Sequence, residues 1–237
     1  MNASAGSPSP IVAWVSMSLW KRILFLPSFL FSFLKSPSRF FASWSELSSE
    51  QKGLSPWFVL LLLVGWGNAL VGLAVNLALH LSGHWQELPL LLRIVLGGDV
   101  DYQGWPLTIL SVLLTPVFVA VAFLAIAMVL QGVLKTLGKA KQGWKASFAV
   151  LAVSQMAQIV VLPLYLGFFW PNWAWIVSFA IVLLYIFYVL LSAIGGLSKA
   201  YGMSDSLATF ALFVTIILLG VMALVATLVF NAVVLAP

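Results

Sequence analysis

The residues able to do chemistry are few and scattered. His80 and His84 stand four apart, so on a continuing helix they share one face, an arrangement suited to a metal or a porphyrin. No third ligand type stands near them, and a pair of interfacial histidines is the ordinary reading. Asp99 and Asp101, followed by Gly104, begin like a calcium loop but supply too few oxygen ligands. There is no cysteine, which removes disulfides, thiolate nucleophiles and Cys-ligated metals. No glycine-rich phosphate loop, triad spacing or zinc motif is present. The sequence therefore reads as non-enzymatic, with no cofactor and no metal.

Binding chemistry is better represented. Gln155 and Gln158 are three apart and share a helix face; Asn68, Asn76, Gln131 and Ser154 complete a small buried polar set. Such groups serve as interhelical hydrogen bonds, averaging ~0.6 kcal/mol each. The alternative is a polar groove for a headgroup or small solute, lined by Asn76, Gln131, Gln155 and Gln158. Gly65, Ala69, Gly72 and Asn76 recur at spacings of four, three and four, a smooth stripe where another backbone can approach closely. That stripe fits internal packing or a homodimer seam. Lys135, Lys139, Lys141 and Lys145 form a basic face that orients the chain and can also hold anionic lipid or an acidic partner. Arg39, Phe40 and Phe41 with Trp44 read as a basic-aromatic interfacial helix.

The elements that carry these residues are set by hydropathy. The chain is 63% hydrophobic and 7% charged, against about 25% in ordinary globular proteins. Between Ala146 and Ser198 there is no Asp, Glu, Lys, Arg or His. The solvent for such a chain is a bilayer. Its pI of 9.6 is therefore not a nucleic-acid signal. The hydrophobic runs predict an all-α, polytopic membrane bundle of five spanning helices. These are Pro56–Leu81, Pro106–Leu134 with Pro116 inside, Ala146–Phe169 with Pro163, Asn172–Leu197, and Leu207–Leu235. Trp170-Pro171-Asn172 separates the third from the fourth, because Pro removes a backbone donor and readily starts a helix. No span carries an ionisable group near its centre, unlike ion-coupled transporters and proton pumps.

Lys and Arg in the gaps give the orientation. Lys21, Arg22, Lys35, Arg39 and Lys52, the Lys135–Lys145 group, and Lys199 share one side of a five-span arrangement; Arg93 falls on the other, with Glu87, Asp99 and Asp101. The N-terminus is thus expected in the cytoplasm and the short tail after Leu235 outside. Trp57 and Trp144 at inner ends, and Trp105, Trp170, Trp173 and Trp175 at outer ends, read as aromatic belts. Residues 1–54 form a cytoplasmic or interfacial amphipathic segment, and residues 55–237 the membrane domain. Ile11–Leu34 is apolar enough for a sixth span, but Lys21 and Arg22 at its middle each cost about 2.5–3.5 kcal/mol there. An interfacial or disordered segment, with Phe and Trp in the headgroups, is the preferred reading. Leu88–Val95 reads as a short helix on the outer surface, ended by Gly97 and Gly98. Residues 1–8 carry no positive side chain, and no small-x-small site follows the first apolar stretch, so a cleaved signal peptide is not expected.

The stretches LKSPSRFF (Leu34 to Phe41), LGKAKQGWKASF (Leu137 to Phe148) and GLSKAYGMS (Gly196 to Ser204) follow one another along the chain, and in type and order they resemble motifs of the Yip family of integral membrane proteins. Leu34 to Phe41 (LKSPSRFF) resembles the family's Pro-x-x-x-Phe lead into the first span. Leu137 to Phe148 (LGKAKQGWKASF) resembles its basic, glycine-containing inner loop. Gly196 to Ser204 (GLSKAYGMS) resembles its short turn between the last two spans. With five spans, a cytoplasmic N-terminus and a short outer tail, the resemblance covers residues 34–235 and is to the short prokaryotic form. It implies a non-enzymatic protein of a prokaryotic cytoplasmic membrane, or of an internal membrane continuous with it. Eukaryotic relatives are linked to Rab GTPases and vesicle traffic; their Asp-Leu-Tyr-Gly-Pro motif is absent here, so GTPase binding is not carried over.

The expected function is a membrane scaffold or accessory subunit that docks lipids, other integral membrane proteins or a second copy of itself. A passive solute-transport or lipid-handling protein, using the polar groove, is the alternative. A pigment-protein accessory subunit, resting on His80, His84 and the tryptophans, is a third.

Overall fold

The computed structural model describes residues 9–42, 44, 47, 53–83, 105–156 and 174–234. All regular structure among them is helical: α1 (Pro10–Ser16), α2 (Leu19–Lys35), α3 (Pro37–Ala42), α4 (Ser55–Leu81), α5 (Trp105–Thr136), α6 (Trp144–Ser154), α7 (Ala174–Tyr201) and α8 (Asp205–Val234). Four of these, α4, α5, α7 and α8, are long and apolar enough to cross a bilayer. The chain is a multi-pass integral membrane protein. Of the expected span Ala146–Phe169, the described part is α6 and the turn that follows to Met156. Pro163, Gln158 and the Trp170–Asn172 break lie outside the described residues, as do His84, Asp99, Asp101 and Leu88–Val95.

Helix α6 is the centre of the packing. Every residue from Ala146 to Ser154 is buried, as expected of a helix apolar on all sides. Its Ala and Ser side chains let α4, α5 and α7 close around it. Helix α8 packs on α5 and α7. Glycines in the left-handed region end three helices. Gly138, at φ 68°, closes α5: its N–H bonds the Lys135 carbonyl at 3.0 Å and the Lys139 N–H bonds that of Leu134 at 2.9 Å. Gly202, at φ 61°, ends α7, and the Met203 N–H reaches back to the Ser198 carbonyl at 3.1 Å. Both are six-to-one closures that need a residue without Cβ at C′. Gly83, at φ 76°, ends α4. The last-span turn is thus shorter than the sequence suggested: Gly196 to Tyr201 remain helical, and the reversal occupies Gly202 to Ser204. Ser204 then caps α8 through a 3.4 Å bond from the Leu207 N–H.

The N-terminal segment is folded onto the bundle. A break at Met17 and Ser18 separates α1 from α2, so Ile11–Leu34 is not one continuous helix. Arg22 bonds the Trp14 and Val15 carbonyls at 3.0 Å each, satisfying the exposed end of α1, and lies 5.9 Å from the Trp14 ring. Burial lowers its pKa from the usual arginine value. Trp14 stacks on Phe29 at 4.6 Å and donates its indole N–H to the Pro56 carbonyl at 3.2 Å. Phe29, Phe33, Phe40 and Phe41 form edge-to-face pairs that continue into the main core.

Candidate functional site

Three constellations of polar or close-packed groups stand out. The first joins α5, α6 and α7 at the end bearing Lys135, Lys139, Lys141, Lys145 and Lys199, here called the basic end. The Tyr201 hydroxyl donates to Gln131 Oε1 at 2.8 Å and lies 2.7 Å from Ser147 Oγ. Gln131 Nε2 donates to the Gln142 carbonyl at 2.8 Å. The Gly143 carbonyl is a second acceptor for Tyr201, at 3.2 Å. A phenol has one proton, so the consistent assignment is Ser147 to Tyr201 to Gln131 to the loop backbone. This chain ties the loop after α5 to the last turn of α7.

The second constellation is where α4 crosses α5. A Cβ on Gly65 would stand 2.9 Å from Pro116 Cβ, so the proline of α5 occupies the notch that the glycine leaves. Pro116 has no N–H for the carbonyl one turn before it. The neighbouring Leu113 carbonyl receives the Trp66 indole N–H at 3.1 Å. This bond ties α4 to α5 beside the proline.

The third lies where α3, α6 and α7 meet. A Cβ on Gly196 would stand 2.6 Å from Val150 Cγ1 and 2.9 Å from Phe41 Cζ. Trp44 and Trp57 are buried against each other nearby in the chain, 5.6 Å apart, and neither indole N–H has a hydrogen-bond partner among the described residues. Trp57 is thus core and not part of an aromatic belt, because the N-terminal segment covers it.

No family model, curated protein or solved structure matches this chain.

The geometry distributes the sequence-predicted residues as follows. Gln131, in α5, sits beside the basic end of α6, in the first constellation. Gln155 caps the other end, eight residues beyond Ser147 or about 12 Å along the axis. The described structure therefore does not bring these two glutamines together, and Gln158 lies outside it. Of the small-residue stripe, Gly65 meets Pro116. Ala69 is half-buried on the same helix, and a Cβ on Gly72 meets open space. Asn76 lies in the same helix, and its side chain is outside the description. Lys135, Lys141 and Lys145 are exposed and Lys139 is half-buried, all in or beside the α5–α6 loop; Arg39 lies in α3. His80 is in the last turn of α4.

Sequence reasoning missed Tyr201, Ser147, Tyr188 and Gly196 as organising residues. Gly196 was read as the start of the turn between the last two spans; only the continuation of α7 to Tyr201 puts it inside a helix, where a glycine marks close approach of a neighbour.

Proposed function

We propose that this protein is a non-enzymatic membrane scaffold or accessory subunit, of the Yip type, that docks lipids and other integral membrane proteins. In this reading its N-terminus and basic end are cytoplasmic. One observation supports it above others. Beyond the basic end, α5, α7 and α8 present broad faces of large apolar side chains, including Phe118, Phe187, Ile216, Met222 and Leu228. In the same helices Asp, Glu, Lys, Arg and His occur only in terminal turns: Lys135, Lys199 and Asp205. Gln131, Ser147 and Tyr201 are occupied with one another and with the loop backbone. Surfaces of this kind offer van der Waals packing to a lipid chain or a partner helix.

The test is purification from native membranes in mild detergent, with mass spectrometry of what co-elutes. A stoichiometric membrane-protein partner is the expected result. Protein that emerges alone, moves lipid or solute in liposomes, and loses this on Gln155→Leu overturns the scaffold reading in favour of lipid or solute handling.

A further inference from the structure

Lys35 stands at a depth where charges are rare. It lies in the last turn of α2 and is exposed. The residue before it is fixed against a spanning helix: the Tyr188 hydroxyl donates to the Leu34 carbonyl at 3.3 Å, with the Phe33 carbonyl at 3.5 Å. Tyr188 is at the middle of α7, fourteen residues from Ala174 and thirteen from Tyr201, so about 20 Å of helix runs to either end.

The route of the chain agrees. Phe29 stacks on Trp14, whose indole N–H bonds the Pro56 carbonyl at the start of α4. Four residues on, Phe33 meets the Tyr188 ring edge-on. The chain turns at Ser36, and α3 packs back along α7 until Phe41 stands by Gly196 and Val150. Those two lie five and six residues, about 8–9 Å, from the basic ends of α7 and α6. Lys35 and Ser36 are thus the deepest point of a re-entrant hairpin. Although the sequence groups Lys35 with the cytoplasmic cations, it sits near the middle of the hydrocarbon. The headgroup layers are about 15 Å away on either side, beyond the reach of its four-carbon stem.

A charge at that depth is offset by an opposite charge. Among the described residues Lys35 has no hydrogen bond or ion pair, and the one acid, Asp205, is in the first turn of α8 at the basic end. The nearest helix-end carbonyls are taken by Tyr188. A seam leads to the lysine. Leu24, Ser28, Phe31 and Lys35 follow at spacings of four, three and four, and all are exposed. That is the spacing by which one helix lies along another.

We infer that Lys35 is the contact cation for a partner's transmembrane helix, one that lies along this seam and carries a carboxylate near its own midpoint. Charge complementarity fixes the occupant. A lipid headgroup does not reach this depth. A second copy of this chain offers no acid in its described spanning helices beyond the first turn of α8. The inference rests on the accessory-subunit reading above and gives the chemistry of the partner.

For the test, the full chain is reconstituted in phosphatidylcholine vesicles with a leucine-rich spanning peptide of about 20 residues carrying one central Glu, or Leu in its place. Energy transfer from the protein's tryptophans to a dansyl group on the peptide reads association. The Glu peptide is expected to bind about tenfold more tightly, the scale of one polar pair between membrane helices. Lys35→Met should erase that preference; Lys35→Arg and Lys21→Met should keep it. Equal association of the two peptides, or a preference that survives Lys35→Met, overturns the inference. Lys35→Met should also raise the unfolding midpoint of the protein alone, because it removes an uncompensated charge. A lowered midpoint would mean that the chain supplies its own counter-ion, and overturns the inference as well. Depth is read separately. A spin label on Ser36→Cys, in a chain with no other cysteine, should be relaxed by oxygen and protected from a water-soluble nickel chelate. Nickel access there overturns the placement. A partner that co-purifies from native membranes undiminished with Lys35→Met sinks this inference and leaves the scaffold reading standing. Protein that emerges alone yet keeps its preference for the Glu peptide sinks the scaffold reading and leaves the cation site.

Discussion

The two ends of the bundle are built from similar residues and are held differently. At the basic end, α6 is enclosed by its neighbours, the N-terminal aromatics fill the space under α4 and α7, and a chain of hydrogen bonds crosses three helices. Toward the far end of α8, the side chains from Ile216 to Val229 are largely exposed. Between helices in hydrocarbon there is no hydrophobic driving force, since a lipid tail is as apolar as leucine. Fit and hydrogen bonding must therefore supply cohesion, and among the described residues most of both lie at the basic end, with the Gly65–Pro116 contact and the Trp66–Leu113 bond beyond it. The lesson is that a uniformly apolar sequence can hide an uneven distribution of contacts among its described parts.

Substitutions can break that comparison. The largest effect is expected from Phe148→Ala, which empties the centre of the enclosed end: a loss of about 3–5 kcal/mol by the scale of core truncations. Thermal or SDS unfolding of the purified protein measures it. Gly196→Ala adds a methyl where Val150 and Phe41 already stand too near, and overpacking of this kind costs about 1–3 kcal/mol. The same unfolding assay should show that loss, and combination with Phe41→Leu should recover part of it. Tyr201→Phe keeps the ring and removes the hydroxyl between Ser147 and Gln131; about 1–2 kcal/mol is expected, with faster proteolysis of the α5–α6 loop as a second readout. The smallest effect is expected at the far end. Leu224→Ala lies on the exposed part of α8 and should change the unfolding midpoint by no more than a shift worth about 0.5 kcal/mol. A large loss there would mean that the far end is packed against something as firmly as the basic end is.

Much of this architecture was visible in the residues, and the reasons divide cleanly. Runs starting at Pro56 and Pro106 placed α4 and α5, and the gap between Leu197 and Leu207 contained the α7–α8 turn, because span length and helix-end chemistry act locally. The expected span Pro56–Leu81 agrees with α4 to within a residue. Partnerships were not local and could not be read. Gln131 looks like one of several span amides until Tyr201, seventy residues later, is brought beside it. Gly65 marked a close approach, but nothing in the sequence named Pro116 as the visitor. Lys21 and Arg22 looked like equal obstacles to insertion; folding gave Arg22 the carbonyls of α1 and left Lys21 exposed. Ile11–Leu34 was read as interfacial or disordered because Lys21 and Arg22 at its middle oppose spanning; a seat for its aromatics was not visible in the sequence. The seat is made by α3, α6 and α7.

That seat sets an order of events during synthesis. The Leu34 carbonyl and the Tyr188 hydroxyl are 154 residues apart in the chain. Phe41 likewise waits for Gly196. Domains assemble as the chain emerges, N-terminal parts first. Here the first helices to leave the ribosome are among the last to find their place. Until α7 is inserted, α2 and α3 have only α1, the start of α4 and each other. The nascent protein must therefore carry an aromatic face in the care of the lipid surface or the insertion machinery through most of its own translation.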